Sequence, residues 1–181
     1  MKTAVIYWSK SGYVKNYAFW LSDSLKADLF NGTDIDYDEL ERYDTLIFGG
    51  GLYAVGINGV KSMKEAMKRF RDKEIIVFAC GASPPREEIK KEVLEKNFSE
   101  KERYRMRFYY FRGGFDFDRL TFVDRILMKL MKFNLKRKKE LTPDEKGMLA
   151  AYDHPVDFTK RENLSGIVDY VKSCQNNAGG I

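Results

Sequence analysis

The chain opens on an apolar run rich in β-branched and aromatic residues, Thr3 to Trp8, which predicts a buried strand. After the polar turn Ser9-Lys10-Ser11-Gly12 the period changes. Val14, Ala18, Leu21 and Leu25 fall on one face of a helix running to about Lys26. The alternation then repeats. Ala27 to Phe30 predicts a short second strand ended by Asn31-Gly32, Tyr37 to Tyr43 a helical turn, and Asp44 to Gly49 a third strand. Gly49 to Gly51 lead into a loop reaching about Asn58, and Gly59 to Phe70 forms a basic amphipathic helix with Val60, Met63, Met67 and Phe70 inward. Glu74 to Cys80 predicts the fourth strand, Gly81 to Pro85 a loop, Arg86 to Asn97 a helix, and Tyr104 to Phe111 the fifth strand. Apolar strands alternating with helices predict an α/β fold: a three-layer sandwich with a five-stranded parallel sheet in the order 2-1-3-4-5 and helices on both faces. In that order a ligand crevice lies outside the carboxyl ends of the strands, between the first and the third.

Beyond the fifth strand the pattern departs from a minimal domain of this kind. An extra helical segment spans about 119–151. Its first part, Leu120 to Phe133, is apolar on more than the usual single stripe, through Leu120, Phe122, Val123, Ile126, Leu127, Leu130, Met131 and Phe133. Such a helix packs against more than the sheet, forms a subunit contact in a homodimer, or lies on a membrane surface. Leu141-Thr142-Pro143-Asp144-Glu145 is a helix-capping pattern whose helix continues to Ala151. Glu162 to Cys174 is the closing helix, so one domain covers 1–174 and residues 175–181 form a flexible tail.

Charge adds one feature. The formal net charge is +5 and it is uneven: residues 125–139 carry Arg125, Lys129, Lys132, Lys136, Arg137, Lys138 and Lys139 and contain no acid. This stretch suits an anionic membrane surface or an acidic protein; no nucleic-acid-binding signature accompanies it, so nucleic acid is not the expected partner. Cys80 and Cys174 match no metal spacing, and a single histidine cannot found a zinc site. Cys80 ends an apolar run and reads as a buried thiol. Ala4 to Trp8 is too short for a signal peptide and no apolar run reaches membrane-spanning length, which points to the cytoplasm.

The three loops leaving strands one, three and four are the unusual ones. In the first, backbone N–H groups at a helix start bind an anion, Ser9 and Ser11 add hydroxyls, Gly12 permits the tight turn, and Lys10 adds charge beside Tyr13 and Val14. This is neither the dinucleotide fingerprint nor a Walker loop, and its hydroxyls suit one monophosphate. In the second, Gly50, Gly51, Leu52, Tyr53 and Ala54 offer close backbone approach to a flat ring and an aromatic to stack on it. In the third, Gly81, Ala82 and Ser83 offer N–H groups to the ring's polar edge. Phe111 to Phe115 suits a wall, with Arg112 placed to meet an anion. Asp116, Asp118 and Asp124 read as helix capping and solvation. No acid–base or nucleophile set stands out, as expected where a cofactor carries the chemistry.

With these residues in view the chain resembles the flavodoxin superfamily. Within it the chain is similar to the flavodoxin-domain proteins that include bacterial menaquinone-dependent protoporphyrinogen oxidase. The resemblance rests on Tyr7-Trp8-Ser9-Lys10-Ser11-Gly12-Tyr13, on Tyr43 to Ala54, and on Phe111-Arg112-Gly113-Gly114-Phe115-Asp116-Phe117 leading into the long apolar helix. It implies a flavodoxin-like fold and non-covalently bound FMN, with its phosphate at 9–14 and electron transfer through the flavin. The partner is then a redox protein or a small-molecule or quinone substrate, and the oxidase branch implies a peripheral position at the inner membrane face. Three departures stand out. Tyr13 is bulkier than the family's usual occupants of its position. Val14 replaces a threonine whose hydroxyl is worth about 1.5–3 kcal/mol to a charged phosphate, and Phe133-Asn134-Leu135-Lys136 stands where the oxidases carry Thr-Gly-Gly. Three readings follow: an FMN-dependent electron carrier or small oxidoreductase, a flavodoxin-like domain without flavin that serves protein interaction, and a porphyrinogen or quinone oxidase at a membrane surface.

Overall fold

The computed structural model describes residues 1–53, 55–120, 122–152 and 154–178, with Arg119, Phe122, Val123, Asp144, Asn177 and Ala178 described by backbone alone. In chain order the elements are β1 (Thr3–Trp8), α1 (Tyr13–Leu25), β2 (Asp28–Asn31), β3 (Thr45–Tyr53), β4 (Gly56–Ile57), α2 (Val60–Arg69), β5 (Glu74–Gly81), α3 (Glu87–Asn97), α4 (Glu100–Arg103), β6 (Arg107–Arg112), β7 (Gly114–Phe115), α5 (Phe122–Lys136), α6 (Pro143–Ala151), β8 (Val156–Asp157) and α7 (Ser165–Ala178). Five strands lie parallel in the order β2-β1-β3-β5-β6, and β4 is added antiparallel to the end of β3. This is the expected doubly wound order, enlarged by one short strand.

The strands are apolar on both sides because both faces are covered. Val5, Ile47, Ile76 and Phe78 pack with Val14, Ala18 and Leu21 of α1 and Ile167 and Val171 of α7. Their neighbours along the strands, Ala4, Ile6, Leu46, Phe48, Ile75 and Val77, pack with Met63 and Met67 of α2 and Val93 of α3. Each large apolar side chain fully buried in this way contributes about 1.5–3 kcal/mol. Tyr17 joins the layers by hydrogen bonds: its hydroxyl donates to the Arg112 carbonyl at 2.7 Å and accepts from Asn163 Nδ2 at 3.0 Å. Burial raises its pKa, against the lowering effect of the Asn163 bond.

The structure corrects several boundaries. Gly49 to Gly51 are not a loop: they belong to β3, where Gly49 pairs with Tyr7 and Phe78 and Gly50 with Trp8 and Ala79. The glycines are there for close packing, since a Cβ on Gly49 would stand 2.1 Å from the Phe78 ring. The last sheet strand begins at Arg107 rather than Tyr104, because Ser99 and Glu102 form a reciprocal capping box that winds residues 100–103 into a helical turn. The closing helix α7 continues to Ala178, so residues 175–178 of the expected tail are helical. On either side of the extra segment, β7 and β8 pair antiparallel. Tyr152 donates to the Met128 carbonyl at 2.8 Å, and its ring meets Phe115 and Phe117. This ties α5 to α6 and leaves Ile126, Leu127, Leu130, Met131 and Phe133 exposed. No described helix is long and apolar enough to cross a membrane.

Two outcomes follow from this core. Gly49→Ala should lower stability in urea unfolding by about 1–3 kcal/mol through overpacking, and adding Phe78→Leu should cost less than the sum of the two single changes. Cys80 is buried and its thiol is pushed up to about 12 by burial, with Asp157 acting in the same direction. With the partly exposed Cys174 replaced by serine, a disulfide reagent at pH 8 should therefore label Cys80 only after unfolding; rapid labelling of Cys80 in the native protein would contradict the packing described.

Candidate functional site

The turn from β1 into α1 is organised by Ser9. Its Oγ accepts the N–H groups of Gly12 at 3.1 Å and Lys15 at 3.4 Å, which occupies its lone pairs and leaves the hydroxyl proton to donate elsewhere. Gly12 has φ +95°, a left-handed conformation that a Cβ would penalise, and directs the chain into the helix. The first turn of α1 contains no acid of its own, so the positive end of the helix is not neutralised from within. Helix N-termini with free backbone N–H groups bind anions in general. Val14, at the position where a hydroxyl is expected, is buried, and its methyl lies 3.5 Å from where a Cβ on Gly51 would stand.

The second side of the crevice is the projecting end of β3. Pairing with β1 stops at Gly50 and with β5 at Gly51, so Leu52 and Tyr53 extend past the sheet edge and pair with Ile57 and Gly56 of β4. The buried Asn97 of α3 pins this hairpin: its Oδ1 accepts the Ile57 N–H at 2.8 Å and its Nδ2 donates to the Val55 carbonyl at 2.6 Å. Sequence reading missed Asn97; the only hint was an amide at a helix end where a charged residue would be more soluble. Gly50 is packed under Asn58 and Ile57, whereas a Cβ on Gly51 would meet nothing closer than 3.5 Å. Gly51 is therefore the less crowded of the two, its Cβ position in ordinary contact with Asn58 and Val14. Ala54 lies outside the described residues.

The third side follows β5. Gly81 is buried between the Tyr110 hydroxyl and Leu52. Tyr110 donates to the Ser83 carbonyl at 3.0 Å and Arg112 Nε to the Ala82 carbonyl at 3.1 Å, so β6 straps this loop from one side. A trans peptide then aims the Ser83 N–H away from Arg112. Burial pushes the Tyr110 phenol up to about 12, which keeps it a donor at any ordinary pH.

Two expected site residues make contacts within the protein. Tyr13 is buried, with its ring against Gly114 and its hydroxyl donating to the Val156 carbonyl at 3.3 Å. Arg112 lays its guanidinium 3.5 Å over the Phe158 ring besides holding Ala82. Both fasten the 112–115 and 156–158 segments beneath the crevice. The expected wall is likewise turned inward: Phe111 packs on Tyr17 and Phe78, and Phe115 on Tyr152.

Asp124 is the largest surprise. It was expected to be solvated, yet it is only 6% exposed. Its Oδ2 lies 3.7 Å from Lys10 Nζ, and the Tyr53 hydroxyl is hydrogen-bonded to it. Desolvation first, and Asp124 second, raise the Tyr53 pKa. Lys10 also sits 4.9 Å from the centre of the Tyr53 ring. With Lys10 half exposed, this ion pair is worth at most about 1 kcal/mol. Lys10, Asp124 and Tyr53 thus bring together the first loop, the start of α5 and the end of β3.

Among curated proteins none matches the chain. Similar solved structures include a flavodoxin from the domain Archaea, at 18% identity and TM-score 0.45, covering 62% of this chain and 83% of that one. A flavoprotein in complex with FMN from Lactobacillus acidophilus NCFM has 17% identity and TM-score 0.43, covering 61% and 91%. Two-electron reduced flavodoxin of Megasphaera elsdenii has 15% identity and TM-score 0.44, covering 61% and 84%. The family model of the flavodoxin domain matches residues 4–142. With a match over that much of its length, the chain belongs to the flavodoxin domain family.

Proposed function

We propose that the chain is an FMN-binding redox protein that transfers electrons to or from a partner through a non-covalent flavin at the carboxyl edge of β1, β3 and β5. The observation that carries this reading is the Ser9–Gly12 turn, locked by Ser9 and opening α1 beside the end of β3, where Gly51 is less crowded than Gly50. Family membership supports FMN as its ligand. The flavin, when bound, supplies the electron chemistry. The chain's residues bind and orient it. Ser9, Ser11, Gly12 and the N–H groups opening α1 hold the phosphate, with Lys10 adding charge. Gly50, Gly51, Leu52 and Tyr53 lie along one side of the ring, and Gly81, Ala82 and Ser83 along its polar edge. Tyr13 and Arg112 support the crevice from below. Val14 packs behind the cradle and contributes no hydroxyl.

The protein should carry a flavin absorbance band when purified, or bind FMN when titrated with it. Absence of binding at tens of micromolar, the outcome expected of a domain devoted to protein interaction, would overturn the reading. Val14→Thr should tighten FMN by about tenfold or more, the equivalent of a hydrogen bond to a charged group. It should also slightly destabilise the apoprotein, because the buried hydroxyl lacks that partner.

A second reading places this chemistry at an anionic membrane surface, as in the oxidase branch the sequence resembles. It is supported by the exposed Ile126, Leu127, Leu130, Met131 and Phe133 of α5 beside Lys129, Lys136, Arg137, Lys138 and Lys139. Vesicles containing phosphatidylglycerol should then co-sediment the protein, less so as salt rises, while neutral vesicles should not. Equal binding to both, or to neither, would contradict it.

A further inference from the structure

The carboxylate at the crevice mouth has no role in the reading above, and its sign is the wrong one. A flavin phosphate in the 9–14 loop is an anion, and Lys10 is the loop's own half-exposed cation. Lys10 already faces Asp124 at 3.7 Å. Asp124 is not a surface ornament: it is buried, it lies in the first turn of α5, and it is hydrogen-bonded to the Tyr53 hydroxyl on the opposite side of the crevice. Bound phosphate and Asp124 therefore draw on the same cation and repel each other. The pair they contest is weak, because its lysine is half exposed, whereas the phosphate also gains the helix-end N–H groups and serine hydroxyls.

We propose that Asp124 is a charge-selecting residue of the crevice, which competes with the phosphate of the flavin for Lys10 and so couples cofactor loading to the docking of α5. This rests on the FMN reading. By linkage the coupling runs both ways. Phosphate in the loop loosens the first turn of α5, and whatever draws α5 outward by its exposed apolar face raises the affinity for a phosphorylated flavin. An uncharged flavin is blind to the competition.

The test compares FMN with riboflavin on the full chain. Asp124→Asn keeps the size of the side chain and an oxygen to accept from Tyr53, and removes only the charge. It should tighten FMN by roughly threefold to tenfold at low salt, with the gain shrinking as ionic strength rises. Riboflavin affinity should not move. Asp124→Glu, which keeps the charge, should stay below the Asn variant in FMN affinity. In the wild-type protein, FMN but not riboflavin should speed amide hydrogen exchange at 122–128. If the Asn variant binds FMN no better, or loses FMN and riboflavin alike, Asp124 is a scaffold residue and the proposal is overturned. If neither flavin binds to wild type or to either variant, the FMN reading falls and takes this proposal with it.

Discussion

The crevice depends on one constraint, the left-handed turn at Gly12 that points the start of α1 at the edge of the sheet. With φ at +95° the chain leaves β1 and enters the helix within four residues, and Ser9 locks the turn by accepting two backbone N–H groups. The helix end then arrives beside β3 with its donors outward. Its first side chains, Tyr13 and Val14, pass behind the turn into the core, against Gly114 and Gly51. Tightness at the turn and tightness beneath it are thus the same feature. A bulkier residue at Gly12, Gly113 or Gly114 would disturb both.

Around that turn, strand pairing does the positioning. Because β3 outruns its neighbours, Leu52 and Tyr53 stand free of the sheet and need separate support. Asn97 gives it from α3, and Asp124 gives it from α5. The first is neutral and buried, so its hydrogen bonds are maintained whatever binds. The second is charged and linked to a half-exposed lysine, so its hold responds to any anion entering the cradle. One support is rigid and the other is conditional, which gives the crevice one fixed side and one that responds to charge.

Much of this was legible in the sequence. Apolar runs covered on both faces, alternating with helical periodicity, specify a doubly wound parallel sheet, and the Ser-x-Ser-Gly run after β1 is the tight turn into α1 that its local chemistry suggests. What was not legible depends on partners distant in sequence. Gly49 and Gly50 look like loop glycines until Phe78 and Ile57 are seen to need their space. Tyr13 and Arg112 carry the chemistry of ligand contacts, yet residues 156 and 158 draw them away. Asp124 lies more than a hundred residues from Lys10, and no local pattern distinguishes a carboxylate that folds back from one left in water.

The central claim is that the turn at Ser9 to Gly12 holds the phosphate of a flavin. Phosphorus NMR of FMN titrated with the protein addresses it directly. The account predicts a bound resonance distinct from that of free FMN, whose position no longer follows pH through the phosphate's titration range because the cradle holds the dianion. A resonance that stays at the free position and titrates normally, with protein in excess, would contradict it.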